Sequence, residues 1–93
     1  MVVGTLRLEI HFPAAHSLKA KRSVLNHVKE RVRHRFNASI AEVGHQELWQ
    51  RTALGVAVVG ESPGVVDRVL RDILAVVERE ERLAVLDYQI AID

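Results

Sequence analysis

The side chains with the clearest chemical potential lie between His16 and Arg33. Lys19, Arg22, Lys29 and Arg33 follow one another at spacings of three, seven and four. At about 100° per residue they share, with Asn26, one flank of a helix within about 80°. A row of cations on one flank suits the phosphates of a nucleic acid, which supply most of its non-specific affinity. Lys21, Arg31 and Arg35 fall on the other flank. At the start of the same segment His16, Ser17, Lys19, Lys21 and Arg22 cluster where free N–H groups and the positive end of the helix dipole favour an anion. No Gly-rich cradle accompanies them. The expected anion- or nucleic-acid-binding residues are therefore Lys19, Lys21, Arg22, Lys29, Arg33, His16 and Ser17. A competing reading has the Lys and Arg stems covering apolar helix edges while their heads pair with a second, acidic helix through Asp67, Asp72 and Glu78.

Other combinations are weaker. His27, Glu30 and His34 share a helix face at spacings that could hold zinc, but no further strong ligand accompanies them, and no metal or other cofactor is expected. Ser17 beside His16 resembles a nucleophile and base, yet no orienting acid is near in sequence. The segment Gly44-His45-Gln46-Glu47-Leu48-Trp49-Gln50-Arg51 holds the only Trp and is too long for a tight hairpin. It reads either as an interaction tip, with His45, Gln46, Trp49 and Arg51 as its residues, or as a lid with Leu48 and Trp49 folded onto the core.

The elements that must position these residues follow from periodicity. Leu6, Leu8, Ile10 and Phe12 alternate with polar residues, so they form a half-buried strand that Pro13 ends. Ser17 can cap a helix over 17–35 whose apolar stripe is Leu18, Leu25, Val28, Val32 and Phe36. Ala38–Gly44 reads as a short second strand. A third carries Leu54, Val56 and Val58 and ends near Gly60. Ser62-Pro63 opens a second helix with a wide apolar face from Val66 to Val77. Leu86, Tyr88, Ile90 and Ile92 alternate in a last strand. The order β-α-β-β-α-β predicts a ferredoxin-like α+β fold: a four-stranded antiparallel sheet with both helices on one face. Its other face would carry Arg7, Glu9, His11, Ala53, Gly55, Ala57, Asp87 and Gln89. Without central aromatics that face does not suit base stacking in the manner of an RNA-recognition motif. A flat surface of small residues instead suits packing on another protein.

The 93 residues make one domain, 1–93. The net charge of +1 conceals a surplus of six cationic over acidic side chains through Arg35 and a deficit of five after it. The absence of Cys excludes a disulfide scaffold, a Cys-ligated zinc and a thiol nucleophile. No apolar run approaches the ~20 residues needed to span a bilayer, and no secretory signal opens the chain. A cytoplasmic protein without membrane contact is expected. So is a homo-oligomer, because a domain this small leaves apolar surface uncovered.

The run His16-Ser17-Leu18-Lys19-Ala20-Lys21-Arg22-Ser23-Val24-Leu25, with Phe36-Asn37 and Ala41-Glu42-Val43-Gly44-His45-Gln46-Glu47-Leu48-Trp49-Gln50, resembles the YlxP-like family of small bacterial proteins of unknown function. The resemblance spans nearly the whole chain and implies a ferredoxin-like fold. It also implies a gene placed among those of translation and transcription factors, near a ribosome-binding factor, an association that favours RNA. It supplies no catalytic residues. The acylphosphatase version of the fold would need an Arg in the first loop, and Pro13–Ser17 contains none. The function expected first is non-enzymatic binding of RNA or a ribosomal particle through the basic helix. Self-assembly or protein binding through the open sheet face or the Ala38–Gly44 edge comes second. Hydrolysis of a phosphate ester or acyl phosphate is a distant third.

Overall fold

Leu6, Leu8, Ile10 and Phe12 are buried while Thr5 and Arg7 are exposed, the two-residue period of a strand with one face on a core. They belong to β1 (Val2–His11), which is followed by α1 (Leu18–Arg35), β2 (Ser39–Gly44), β3 (Arg51–Gly60), α2 (Pro63–Glu78) and β4 (Ala84–Ile92). The computed structural model describes all of residues 1–93. The strands form one antiparallel sheet in the order β2-β3-β1-β4. Both helices pack on one face of it, and the fold is ferredoxin-like.

Both helices begin where their caps lie. Ser17 Oγ accepts from the Ala20 amide at 3.0 Å and Ser62 Oγ from that of Val65 at 3.3 Å, each satisfying one of the four free N–H groups of a helix start. Pro63 sits in the first turn of α2, where its missing N–H costs nothing. α2 is the main core helix: Val66, Leu70, Ile73, Leu74, Val76 and Val77 are buried. Its approach to β1 is close, because a Cβ at Gly4 would collide with Val66 and Leu70. α1 contributes Leu25, Val28 and Val32 to the same core.

Two boundaries and one face differ from the sequence expectation. β3 starts at Arg51 and β1 at Val2. In β4 the register against β1 shifts between Glu9 and Ile10, so that Val85 stands opposite Ile10. Leu86 and Tyr88, expected on the apolar face, are left 53% and 45% exposed, because β4 is an edge strand and the bulge takes Leu86 out of the alternation. No helix is long and apolar enough to cross a membrane.

Candidate nucleic-acid interface

The amphipathic pattern of α1 fixes where its cations go. With Leu25, Val28 and Val32 turned to the core, the flank bearing Lys19, Arg22, Asn26, Lys29 and Arg33 lies on the β2 side of the helix. Arg33 marks this contact: its guanidinium donates to the carbonyl of Ile40 in β2 at 3.2 Å and to Glu30 Oε1 at 3.0 Å. The opposite flank faces the end of α2, where His27 Nε2 comes to 3.8 Å from Glu80 in the turn after that helix. The expected pairing of the cations with the second helix is not found. Asp67 pairs with Arg71 of its own helix at 3.0 Å, and Asp72 and Glu78 make no ion pair. Lys19, Arg22 and Lys29 make no ion pair or side-chain hydrogen bond at all. At 1.5 Å per residue, Lys19 to Arg33 is a cationic row about 21 Å long.

Lys21 is a correction to the anion-binding set. It is fully buried. Its Nζ lies 3.0 Å from Glu42 Oε2, 3.0 Å from the His45 carbonyl, 3.1 Å from that of Gln46 and 3.2 Å from that of Arg51. Four acceptors exceed its three N–H groups, so no donor remains for a phosphate. Glu42 Oε2 also accepts from Thr52 Oγ1 at 2.7 Å. Lys21 is thus a bolt between the first turn of α1 and the loop joining β2 to β3.

On the open face of the sheet the same loop is held differently. Glu9 Oε1 accepts from His45 Nε2 at 2.9 Å and Arg51 at 3.0 Å, while its Oε2 lies 3.3 Å from Arg7. A carboxylate only accepts, so His45 carries its proton on Nε2 in this pair. Partial burial pushes the Glu9 carboxyl up, but the bonds from His45 and Arg51 and the charges of His45 and Arg7 outweigh it and hold it below the usual range. Arg51 therefore belongs to β3 and the open face rather than to the tip. His45 adopts φ 58°, the only non-Gly residue in the left-handed region.

The tip itself is open. Trp49 and Leu48 are 54% and 48% exposed, so neither closes over the core as a lid would. Gln50 Nε2 donates to the carbonyl of Ala15 at 3.2 Å and reaches that of Pro13 at 3.4 Å, and the Phe12 amide donates to the Gln50 carbonyl at 2.9 Å. The Pro13–Ser17 loop, the start of α1 and the β2–β3 loop therefore form one end of the molecule. His16 is exposed there, and Ser17 Oγ is occupied as the α1 cap. His27, Glu30 and His34 do not converge: His34 Nε2 is 3.8 Å from Glu30, but His27 turns to Glu80.

Sequence reasoning missed Glu42, Thr52, Gln50 and Glu9. A signal existed for the buried pair. Lys21 falls at position i−4 from Leu25 and i−7 from Val28, inside the apolar stripe of α1, and Glu42 alternates with Ile40 onto the core face of β2. A charge in each of two facing apolar stripes signals a buried ion pair. Glu80 offered none. Hydrogen bonds from Arg82 lower its pKa to about 2 despite burial, helped by Arg82 and His27 charge.

The family model described as "Protein of unknown function (DUF503)" matches residues 3–90. The chain is 39% identical over 77 residues to the "Uncharacterized protein YlxP" of Bacillus subtilis (strain 168), an alignment covering 83% of this chain and 84% of that protein. Among solved structures it is similar to the de novo designed protein Foldit4, with a TM-score of 0.52, 10% identity, and coverage of 99% of this chain and 94% of that one. It is also similar to the de novo designed protein LFR1 1 with ferredoxin fold, with a TM-score of 0.53, 15% identity, and coverage of 100% and 84%. At such identities the designed proteins speak for the fold alone.

Proposed function

Since the chain belongs to the DUF503 family of YlxP-like proteins, a family of unknown function, we propose from its surface that it is a binding protein for RNA, gripping phosphates along the β2-side flank of α1. The observation that supports this reading is that Lys19, Arg22 and Lys29 have no acidic partner, while Asp67 of α2 pairs with Arg71 of its own helix. Cations paired inside the molecule would give little to a phosphate; unpaired ones release counterions when they meet it. RNA is favoured over other polyanions by the association with translation genes that the resemblance implies.

The test is anisotropy of a labelled single-stranded oligoribonucleotide as salt is raised. Three free cations give a log–log slope of about −2 for a single strand, since Arg33 is already held by Glu30 and the Ile40 carbonyl. Lys19→Glu, Arg22→Glu and Lys29→Glu together should abolish binding without unfolding the domain, since none of the three is buried. Binding that ignores salt, or survives the triple change, removes the reading. Lys21 is left out of this set because its loss acts on the fold.

A second reading concerns the open sheet face, with a second copy of the chain as occupant. Thr5, Ala41, Val43, Gly55 and Ala57 border a shallow depression of about 440 Å³ there, and Val59 is exposed beside it. Arg7, His45 and Arg51 on this face are turned on Glu9, which leaves them little to offer a charged partner. A face of about 15 by 30 Å on each copy gives about 900 Å² in total, close to the ~1,000 Å² that a stable dimer needs. Arg33 occupies a carbonyl of β2 and so blunts edge pairing, which favours the face over the edge. Light scattering behind a sizing column should give twice the chain mass, and Ala57→Arg should return it to the monomer. A monomer at high concentration removes this reading.

A further inference from the structure

We propose that the β2–β3 loop presents Trp49 as a stacking platform for an unpaired nucleobase of the strand whose phosphates lie along α1. This rests on the phosphate reading above.

The loop spans His45 to Gln50, and the backbone on both sides of Trp49 is fixed. Before it, Lys21 holds the carbonyls of His45 and Gln46, and the Leu48 amide donates to the His45 carbonyl at 3.1 Å. After it, Gln50 is bonded to the Pro13–Ser17 loop through its side chain and accepts from the Phe12 amide through its carbonyl. His45 is held in the left-handed region to make the turn, a conformation that a non-Gly residue adopts only at a cost. A loop anchored this firmly leaves its one Trp more than half exposed. Folding gains little from that ring. A partner gains much, because a large flat ring on an ordered backbone loses little conformational entropy on binding.

The surroundings favour a base as the occupant. Lys21 lies between Lys19 and Arg22 in the first turn of α1, so the loop is seated against the end of the cationic row. A strand continuing past Lys19 would come to the end of the molecule that carries the loop. Glu47, Leu48, Trp49, Gln50 and Arg51 border a hollow of about 430 Å³. Glu47 is exposed and unpaired, and Arg51 is engaged by Glu9, so the hollow offers no free cation. A phosphate is disfavoured there, whereas an uncharged base can stack on the indole. Stacking of this kind is sequence-tolerant and is the common partner of a cationic groove in single-strand binding.

Trp49 is the only Trp, so its emission reports on this one position. The intact protein is titrated with a fluorescein-labelled 12-nucleotide single-stranded RNA, reading label anisotropy and Trp emission, and separately with polyphosphate, which has the charges without the bases. RNA should raise the anisotropy and quench Trp49; polyphosphate should displace the RNA without quenching. Trp49→Ala should weaken RNA binding roughly five- to 150-fold, Trp49→Phe should retain most of it, and neither should alter polyphosphate binding. Salt-sensitive RNA binding with unchanged emission and undiminished by Trp49→Ala overturns the platform and leaves the phosphate reading standing. Equal quenching by polyphosphate also overturns the platform. Absence of any anisotropy change overturns both. Retained thermal stability of Trp49→Ala separates lost stacking from a lost fold.

Discussion

On the helix side of the sheet, the β2–β3 loop is held by Lys21, buried, with Glu42 and three backbone carbonyls around its ammonium. On the open side, the same loop is held by Glu9, partly exposed, through His45 and Arg51. The two anchors use the same chemistry, a cation bonded to a carboxylate, in different dielectrics. In the interior a charge that loses its partner keeps its full desolvation penalty; at the surface water replaces the partner. The inner anchor therefore dictates whether the loop is ordered, while the outer one adjusts it. Lys21 and its neighbours Lys19 and Arg22 make the same point within a single turn. One cation is built into the fold, and the adjacent two are left exposed without a partner.

The sharpest way to break this contrast is Lys21→Met, which keeps an unbranched apolar stem and deletes the ammonium. Glu42 and the carbonyls of His45, Gln46 and Arg51 would lose a shared donor at once. The expected loss is about 3–5 kcal/mol, or a fall in Tm of roughly 15–30 °C for a domain of this size, read by calorimetry. A loss below about 1 kcal/mol would show that the two anchors do not differ as described. Next comes Thr52→Val, which deletes the bond to Glu42 at 2.7 Å but leaves Lys21 in place. About 1–2 kcal/mol is expected, because a largely buried carboxylate loses one of two donors.

His45 joins the two anchors, since its carbonyl meets Lys21 and its ring meets Glu9. His45→Ala loses the ring contact and keeps the left-handed backbone. His45→Gly loses the same contact and relieves the backbone. The Gly variant should therefore be the more stable of the two by about 1 kcal/mol in denaturant unfolding. Equal stabilities would mean that the loop relaxes when the ring is gone, and that the outer anchor sets the turn.

The elements were legible wherever period and cap agreed. β1 has strict alternation, and α2 combines Ser62, Pro63 and an apolar run, so both emerge from the residue order. The end of the molecule was less legible because its residues are brought together from distant segments: Lys21 from α1, Glu42 from β2, Gln50 from the loop. A helical wheel gives the angle of Lys21 but not what lies opposite it. Read as one more exposed cation, Lys21 joined the anion set; read as a charge inside the apolar stripe, it demands a buried acid. The β4 error has a similar origin. A register shift depends on the neighbouring strand, which no local alternation records.

Glu9→Gln is the mildest change and isolates the outer anchor. The folded carboxyl lies below its ordinary value, so the folded state binds its proton less readily than the unfolded chain does. The stabilisation is complete above the ordinary carboxylate range and disappears as pH falls through the lowered value. At pH 7 the variant should lose no more than about 1 kcal/mol, as befits a partly exposed ion pair. As pH falls through the lowered value, the gap between the two proteins should close. Glu80 provides the internal contrast, since its pKa is lowered to about 2 and its contribution survives to lower pH than that of a carboxylate with less depression. Glu80→Gln should therefore flatten the acid limb of the stability profile down to about pH 2. A gap for Glu9→Gln that does not narrow anywhere as the pH is lowered through the acid range would mean that the glutamate acts through its shape and not its charge, and the outer anchor would then be packing rather than an ion pair.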